Sequence, residues 1–243
     1  AYQREMDSHM MKNTEWGAVA YLQHSEYGSR TSVRINNHSD YKTGYSGVHE
    51  PACGYTGKNE ECNKYGIEES ITKPWNTDIG YLSSTTGNIS GIYDMSGGAW
   101  EYVMGVMKSQ SGVPCSGRDA TYNSGFNGPY CNTTGTKTDG IPFPENSDYY
   151  DVYEYATVDE RYDRRILGDA TGEMGPFTTK TYGTQNRQIG SWYDDEAWFV
   201  ISVVPWFLRG NDFTRGTGAG VFALNRVHGS VATWISFRIV LSI

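Results

Sequence analysis

The chain of 243 residues has few histidines, and its cysteines form no metal-binding pattern. The five histidines stand singly along the chain: His9, His24, His38, His49 and His228. The four cysteines include no C-x-x-C pair, and no histidine lies at zinc-finger spacing from them. A G-x-S-x-G nucleophile motif and a phosphate-binding glycine loop are also missing. These absences argue against the common classes of enzyme, so we expect no catalytic residue and no cofactor.

Long apolar runs are missing as well. The longest, Trp198–Leu208, is too short to cross a bilayer and contains Pro205. It is typical of a buried strand, and we predict no membrane span in this chain. The sequence opens on Ala1 without a recognisable signal peptide, which we expect to mark a processed or trimmed start.

Charge is scarce and unevenly placed. The net charge of −8 argues against nucleic acid as a partner. The segment from Ile201 to Ile243, in contrast, has four arginines and one aspartate but neither lysine nor glutamate. With 29 glycines and 19 tyrosines, the composition is typical of a loop-rich β or α+β protein. No linker or repeat divides the chain, so we predict a single domain over residues 1–243.

The cysteines fall in two loop-like segments rich in Gly, Asn, Thr and Ser. Their spacing favours two local disulfides, Cys53–Cys62 and Cys115–Cys131, in an exported protein. Three pairings of four cysteines exist, and four reduced thiols in a cytosolic protein are the alternative. Loops without a core of their own gain most from such crosslinks, about 2–4 kcal/mol each.

Periodicity outlines the remaining elements. Apolar spacing predicts a helix over Arg4–His24 and a strand over Thr31–Ile35, followed by loops to residue 90. Eight acids and three arginines are mixed over residues 145–169. We interpret this segment as a solvated surface with ion pairs, in preference to a cation site.

The stretch Gly91–Tyr102 is the predicted centre of the fold. Ile92 and Tyr93 suggest a short strand, and Gly97-Gly98 allows a turn with positive φ. Ala99–Met104 is then predicted to be a second strand, with Trp100 in the core. Glu101 follows between two large aromatics, and its burial requires backbone amides, an arginine or a metal ion as partner.

These residues carry a family resemblance. Asp94–Tyr102 (DMSGGAWEY) resembles the D-M-x-G-N-V-W-E-W signature of the formylglycine-generating-enzyme branch of the C-type lectin fold. Phe207–Asn211 resembles the family's R-G-G-S-W segment, and Ser236–Leu241 its terminal G-F-R-L strand. Thr14–Leu22 resembles its early amphipathic helix. The resemblance implies an α+β C-type lectin fold, loop-rich with small antiparallel sheets and few helices.

The same resemblance bears on chemistry. Formylglycine-generating enzymes bind copper through paired cysteines near the carboxy terminus, and the span from Arg209 to Arg238 contains no cysteine. Related iron-dependent enzymes use a histidine cluster, which is also missing from this sequence. The family often holds calcium near Asp94 and Glu101, but Gly97-Gly98 replaces the usual Gly-Asn. Because calcium needs six or more oxygens, we expect no metal, with Glu101 bonded by backbone amides.

The tail from residue 209 to 238 alternates a glycine-rich frame with chemically unrelated side chains. That mixture suits an adaptable binding surface better than a core. The predicted ligand-binding residues are Asn211, Asp212, Phe213, Thr214, Arg215, Asn225, Arg226, Val227, His228, Ser230, Thr233 and Trp234. Core positions remain the alternative for Phe213, Val227 and Trp234. Arg209 and Arg238 are expected to be structural and to bind acidic partners.

This tail resembles the variable region of diversity-generating retroelement proteins, which display adenine-targeted mutations on a C-type lectin fold. Most of the residue types in the variable positions can be produced by changing the two adenines of an Asn codon. Tryptophan, the residue at position 234, cannot. The resemblance implies an adhesin or receptor-binding protein that recognises a protein or glycan on another cell or particle. An extracellular, cell-surface or pilus location is favoured over a phage particle. The alternatives are an enzyme of the same fold and a structural pilus or filament subunit.

Overall fold

The computed structural model describes residues 7–28, 30, 81, 84–158, 164–171, 178–182, 185–189, 195–212 and 219–242. Within these ranges one α-helix, α1 (Asn13–Leu22), and one 3₁₀ turn (Ser147–Tyr149) accompany short strands. The strands are β1 (Asp7–Met10), β2 (Trp100–Met107), β3 (Gly128–Pro129), β4 (Thr136–Lys137), β5 (Asp151–Tyr153), β6 (Thr178–Tyr182), β7 (Gln185–Ile189), β8 (Trp206–Arg209), β9 (Leu224–Val227), β10 (Ile235–Phe237) and β11 (Ile239–Ser242). The architecture is loop-rich α+β, as the composition predicts.

A mixed sheet brings together parts of three of the stretches that carry the family resemblance. Its order is β10-β2-β8-β9, and β5 also pairs with β2. β2 and β8 are antiparallel, as are β8 and β9, whereas β10 and β5 run parallel to β2. Of the terminal stretch Ser236–Leu241, only the β10 residues belong to this sheet, because β11 pairs with β1. The expectation of antiparallel sheets is wrong for this sheet, which is mixed. Three two-stranded sheets, β1-β11, β3-β4 and β6-β7, complete the described part.

The long strand β2 is the centre of this sheet. Along one edge it pairs with β8, and along the other it meets β10 and then β5. Between those two, Met104 donates its backbone N–H to the carbonyl of Met11 at 2.8 Å. Trp100, Val103 and Met107 are almost fully buried, so the predicted core position of Trp100 is confirmed.

The turn before β2 is built as its glycines predict. Asp94, Gly97 and Gly98 all have positive φ, at 60°, 87° and 78°. The amide of Gly97 donates to the carbonyl of Gly210 at 2.9 Å, which fixes the turn against the end of β8. Ile92 and Tyr93, predicted as a short strand, are in no strand. The turn therefore joins the predicted centre of the fold to the start of the tail.

Helix α1 is shorter than predicted. Residues 7–10 form β1, which pairs with β11 at the other end of the chain, and the helix begins only at Asn13. Periodicity cannot reveal so distant a partner, and Met10 of β1 falls on the apolar stripe that predicts the helix. The Glu15 carboxylate accepts the Lys12 N–H at 2.8 Å and fixes the new start. The part of the prediction at Arg4–Met6 lies outside the described residues, as does the predicted strand Thr31–Ile35.

Trp198–Leu208 is not one strand. Ile201 and Val204 exchange backbone hydrogen bonds in a tight turn, and β8 begins after Pro205. Proline has no N–H to donate to a ladder, so the chain turns before it. The terminal stretch is likewise divided, because β10 joins β2 while β11 joins β1.

The charged segment 145–169 is not simply a solvated surface. Residues 159–163 lie outside the described part, but three charged residues on either side are buried: Asp151, Arg164 and Asp169. The guanidinium of Arg164 donates to the carbonyl of Val200 at 3.1 Å and lies 5.0 Å over the ring of Phe199. The sequence of this segment alone does not show which of its charged side chains bond to carbonyls elsewhere in the chain.

The Cys115–Cys131 disulfide is present, as predicted. Both cysteines are buried, and the amide of Cys115 donates to the carbonyl of Met107 at 3.0 Å. The bond therefore fastens the loop after β2 to the core. The predicted Cys53–Cys62 pair lies outside the described residues.

Candidate ligand-binding surface

Two arginines bound the tail, and the first, Arg209, is fully buried at the end of β8. Its guanidinium donates to Asn13 Oδ1 at 3.2 Å and to the carbonyls of Asp169 and Ala170. It also lies 5.7 Å from the ring centre of Trp16. Burial lowers the pKa of Arg209 to about 10, although the nearby Asp169 charge opposes this. The structural role is confirmed, but the guanidinium bonds an amide and two carbonyls among the described residues rather than a carboxylate.

The second arginine, Arg238, lies between β10 and β11 and holds a buried carboxylate. Its Nε donates to Glu101 Oε2 at 2.6 Å and its Nη2 to Glu101 Oε1 at 2.7 Å. Burial raises the pKa of Glu101, and the Arg238 charge acts against that rise. The predicted acidic partner of Arg238 is confirmed. The prediction that backbone amides satisfy Glu101 is wrong, because a bidentate guanidinium fills both oxygens.

At the start of the tail, the predicted contact residue Asn211 is internal. It is fully buried with φ of 63°, and its Nδ2 donates to Glu196 Oε2 at 3.2 Å. Asn225 on β9 donates to Glu196 Oε1 at 2.9 Å. One carboxylate thus links the end of β8 to β9. The expectation that Asn211 faces a ligand is wrong. Asparagine tolerates the left-handed backbone conformation at this position, and its buried side chain stabilises the fold through Glu196.

Two more predicted residues are half-buried on β9. The Arg226 guanidinium donates to the carbonyl of Phe199 at 2.6 Å and lies 5.2 Å from the ring centre of Trp198. Val227 pairs with Trp206 and packs against the core, so the alternative interpretation of Val227 as a core residue applies. Asp212 is also half-buried, while Phe213, Thr214 and Arg215 lie outside the described residues.

The loop after β9 turns outward. Val231 is 97% exposed and Trp234 51%, and Thr233 is exposed as well. Ser230 is half-buried, and its carbonyl accepts the Tyr102 hydroxyl at 2.8 Å, which ties the loop to β2. We call the half-exposed and exposed residues from Asn225 to Trp234 the tail surface. Trp234 is an exposed aromatic and not a core residue.

His228 joins the tail surface to the disulfide loop. The ring centres of His228 and Tyr122 are 4.4 Å apart. The Arg118 guanidinium lies 5.3 Å from the centre of the Tyr122 ring. Partial burial, and then the charge of Arg118, lower the pKa of His228. Its Nδ1 is buried without a hydrogen-bond partner in the described part of the chain. The burial and the Arg118 charge therefore both favour the neutral imidazole.

Sequence reasoning missed Tyr122 and Arg118 as neighbours of the tail surface. They belong to the loop between Cys115 and Cys131, about a hundred residues before His228. A loop rich in Gly, Asn and Ser carries no periodic signal. The predicted disulfide was the one available sign that this loop is fixed in place.

Across the described residues, no three His, Cys, Asp or Glu side chains come together as a metal site would require. Helix α1 has ten residues, and nowhere in the described part is there a helix long and apolar enough for a membrane crossing. No protein-family model matches this chain, and no curated protein matches it.

Proposed function

We propose that this chain is a ligand-binding display protein whose tail surface recognises a protein or glycan on another cell or particle. The observation that carries the proposal is the change of burial along the tail. Residues 219–224 are buried, whereas residues 225–234 are half-exposed or exposed. Buried Arg209 and the Arg238–Glu101 pair hold the two ends. A fixed frame that presents polar and aromatic side chains is what a recognition loop needs.

We further propose that the frame is a C-type lectin fold of the formylglycine-generating-enzyme type, here a variable protein of a diversity-generating retroelement. The meeting of β2, β8 and β10 in one sheet supports this, because each contains part of a resembling stretch. Thr233 is exposed, and Ser230 and His228 are half-exposed. All three are residue types that an Asn codon can encode after its adenines are changed. Neither catalysis nor a cofactor is part of this proposal.

The Cys115–Cys131 disulfide supports an extracellular or cell-surface location, since such bonds persist in oxidising compartments. A pilus tip or a surface anchor fits the proposal better than a phage particle.

A structural filament subunit is the second candidate, and a row of exposed apolar side chains favours it. Phe237, Ile239 and Leu241 alternate along β10 and β11 and are each more than half exposed. Exposed apolar rows of this kind are typical of protein contacts. Light scattering over a concentration series would separate the candidates, because a filament subunit assembles and an adhesin stays dispersed.

The proposal is tested by applying labelled protein to a glycan array and to a panel of intact bacterial cells. The variant Thr233→Ala/Trp234→Ala should lose the signal that the unmodified protein gives. Tyr27→Ala is the matched control, because Tyr27 is a 75% exposed aromatic outside the tail surface. Equal binding by both variants would contradict the proposal.

The gene neighbourhood provides a test of the retroelement class. A reverse-transcriptase gene beside a near-copy of the codons for residues 209–238 is expected. A neighbourhood without either would remove the retroelement part and leave the binding proposal to the array.

A further inference from the structure

A cleft of about 350 Å³ lies between two turns, one of which includes Cys131 of the disulfide. One wall is the turn after β2, residues 109–111. The other is residues 129–135, at the β3–β4 hairpin. We call it the hydroxyl cleft. Its size is within the range of about 300–1,000 Å³ found for small-ligand sites. None of the predicted tail residues lines it.

The lining mixes polar and apolar surface and includes no charged side chain. Its hydroxyls and amides come from Ser109, Gln110, Ser111, Asn132, Thr133 and Thr134. The nearest cations along the chain are already engaged: Lys108 contacts Glu154, and Lys137 contacts Asp139 at 3.1 Å. A phosphate or carboxylate ligand would therefore find no free counter-charge in the lining. An apolar ligand would have to desolvate these hydroxyls without replacing their hydrogen bonds.

Several of these groups are available to a ligand. The hydroxyls of Tyr130, Thr133 and Thr134 make no hydrogen bond within the described part of the chain. Tyr130 is half-buried, and a ring beside free hydroxyls presents an apolar face next to donors and acceptors. Gly135, at φ of 123°, keeps the space beside that ring open, since a Cβ there would lie 3.7 Å from the ring's Cδ2.

The walls are fixed before any ligand arrives. The Tyr130 amide donates to the carbonyl of Gly135 at 3.1 Å, which closes the hairpin. Cys131 beside it is bonded to buried Cys115. On the opposite wall, Ser109 is buried and shares a 2.7 Å hydrogen bond with Ser111. A site held this way loses little conformational entropy on binding.

We propose that the hydroxyl cleft is a second binding site, independent of the tail surface, for a neutral carbohydrate. A sugar ring has apolar C–H faces for the Tyr130 ring and many hydroxyls that both donate and accept. Thr133, Thr134 and the Asn132 amide offer both functions in return. The uncharged lining matches an uncharged sugar.

The test is an NMR titration of the full chain with four neutral probes: methyl α-mannoside, N-acetylglucosamine, galactose and maltotriose. At least one should shift the amide signals of residues 130–135. Tyr130→Ala should weaken that binding by about tenfold, the equivalent of one lost stacking contact and hydrogen bond. Thr133→Ala/Thr134→Ala should weaken it as well, while Thr157→Ala, an exposed threonine outside the cleft, should not.

The proposal is overturned if none of the four sugars shifts these signals, or if the shifts persist in Tyr130→Ala. Inorganic phosphate is the counter-probe, and its binding in place of the sugars would also contradict a neutral ligand. Peptide mapping of each variant should still show Cys115 linked to Cys131, which excludes misfolding as the cause. Thr233→Ala/Trp234→Ala should bind the probe normally, so failure of the tail proposal and of this one can be told apart.

Discussion

At the scale of single residues, Glu101 shows how a costly sequence feature is satisfied by a distant partner. The residue is 6% exposed, and the Arg238 guanidinium, 137 positions away along the chain, bonds both carboxylate oxygens. The sequence indicated that Glu101 needs an amide, an arginine or a metal. The sequence does not show which of these partners Glu101 has. That depends on which strand pairs with β2 beside Glu101, and this strand is β10, which Arg238 follows.

Arg238→Ala should lower the free energy of unfolding by about 3 kcal/mol, since it leaves a buried carboxylate without its counter-charge. Urea titration at pH 7 provides the measurement. The double variant Glu101→Gln/Arg238→Ala should lose less than the single one, because the buried charge is then gone. A loss of under about 0.5 kcal/mol in Arg238→Ala, typical of surface changes, would show that the pair is not structural.

His228 predicts a pH dependence of stability. Its pKa is lowered in the folded protein from 6.5, so the unfolded chain binds more protons near and below that pH. The stability contributed by the neutral imidazole is fully present above about pH 6.5 and decreases as the pH falls through this value.

Urea titrations between pH 5 and 8 should therefore show a smaller acid-side loss of stability in His228→Asn than in the unmodified protein. His24→Asn provides the comparison for losing one exposed histidine outside this contact. Parallel profiles for the unmodified protein and His228→Asn would show that the packing of His228 against Tyr122 has no energetic consequence.

At the scale of elements, the structure departs most from the sequence prediction where pairing is distant. The turn Asp94–Gly98 and β2 were predictable because glycine conformation and apolar patterning act locally. Local periodicity predicts helix at β1, because its strand partner, β11, lies more than 200 residues away. On the tail surface, the exposure of Trp234 could be predicted from its neighbours' composition. The burial of Asn211 could not, because Glu196, its partner, lies on a separate segment.

Helix α1 depends on a glycine for its packing. A Cβ on Gly17 would overlap the backbone carbonyl of Gly168, which lies against the helix there. Alanine is a better helix former than glycine, yet Gly17→Ala should destabilise the protein by about 2 kcal/mol through overpacking.

Ala18→Gly is the matched control for that substitution. Ala18 is exposed on the same helix, so its replacement should cost only the helix propensity, about 1 kcal/mol. Denaturant unfolding measures both variants. An increase in stability for Gly17→Ala would mean that the helix does not pack this closely.

The disulfide loop is the second element with a direct test. Cys115→Ala/Cys131→Ala should lower the free energy of unfolding by about 3 kcal/mol, because a crosslink across 16 positions restricts the unfolded chain. Replacing both cysteines avoids the effect of a reductant on Cys53 and Cys62. Mapping of the unmodified protein without reductant should yield the Cys115–Cys131 peptide pair, and free thiols at both positions would contradict the structure.

At the scale of the whole molecule, the chain combines a buried frame with an outward-facing tail. Trp100 and Trp234 represent these two parts: the first is 2% exposed in β2, and the second is 51% exposed just before β10. That β2, β8 and β10 share a sheet could be predicted from the sequence, because each strand contains part of a resembling stretch. Ligand identity has no such signal, because recognition depends on the shape of the exposed loop and not on a motif.

The measurement that tests the central claim most directly combines thermal unfolding with binding to the glycan array and cell panel. Trp234→Ala should melt within about 2 °C of the unmodified protein and lose binding, while Tyr27→Ala retains both. Trp100→Ala should lose about 3–5 kcal/mol of stability, as removal of a core aromatic does. If Trp234→Ala instead melted as low as Trp100→Ala, or bound as well as Tyr27→Ala, the tail surface would be packing and not recognition.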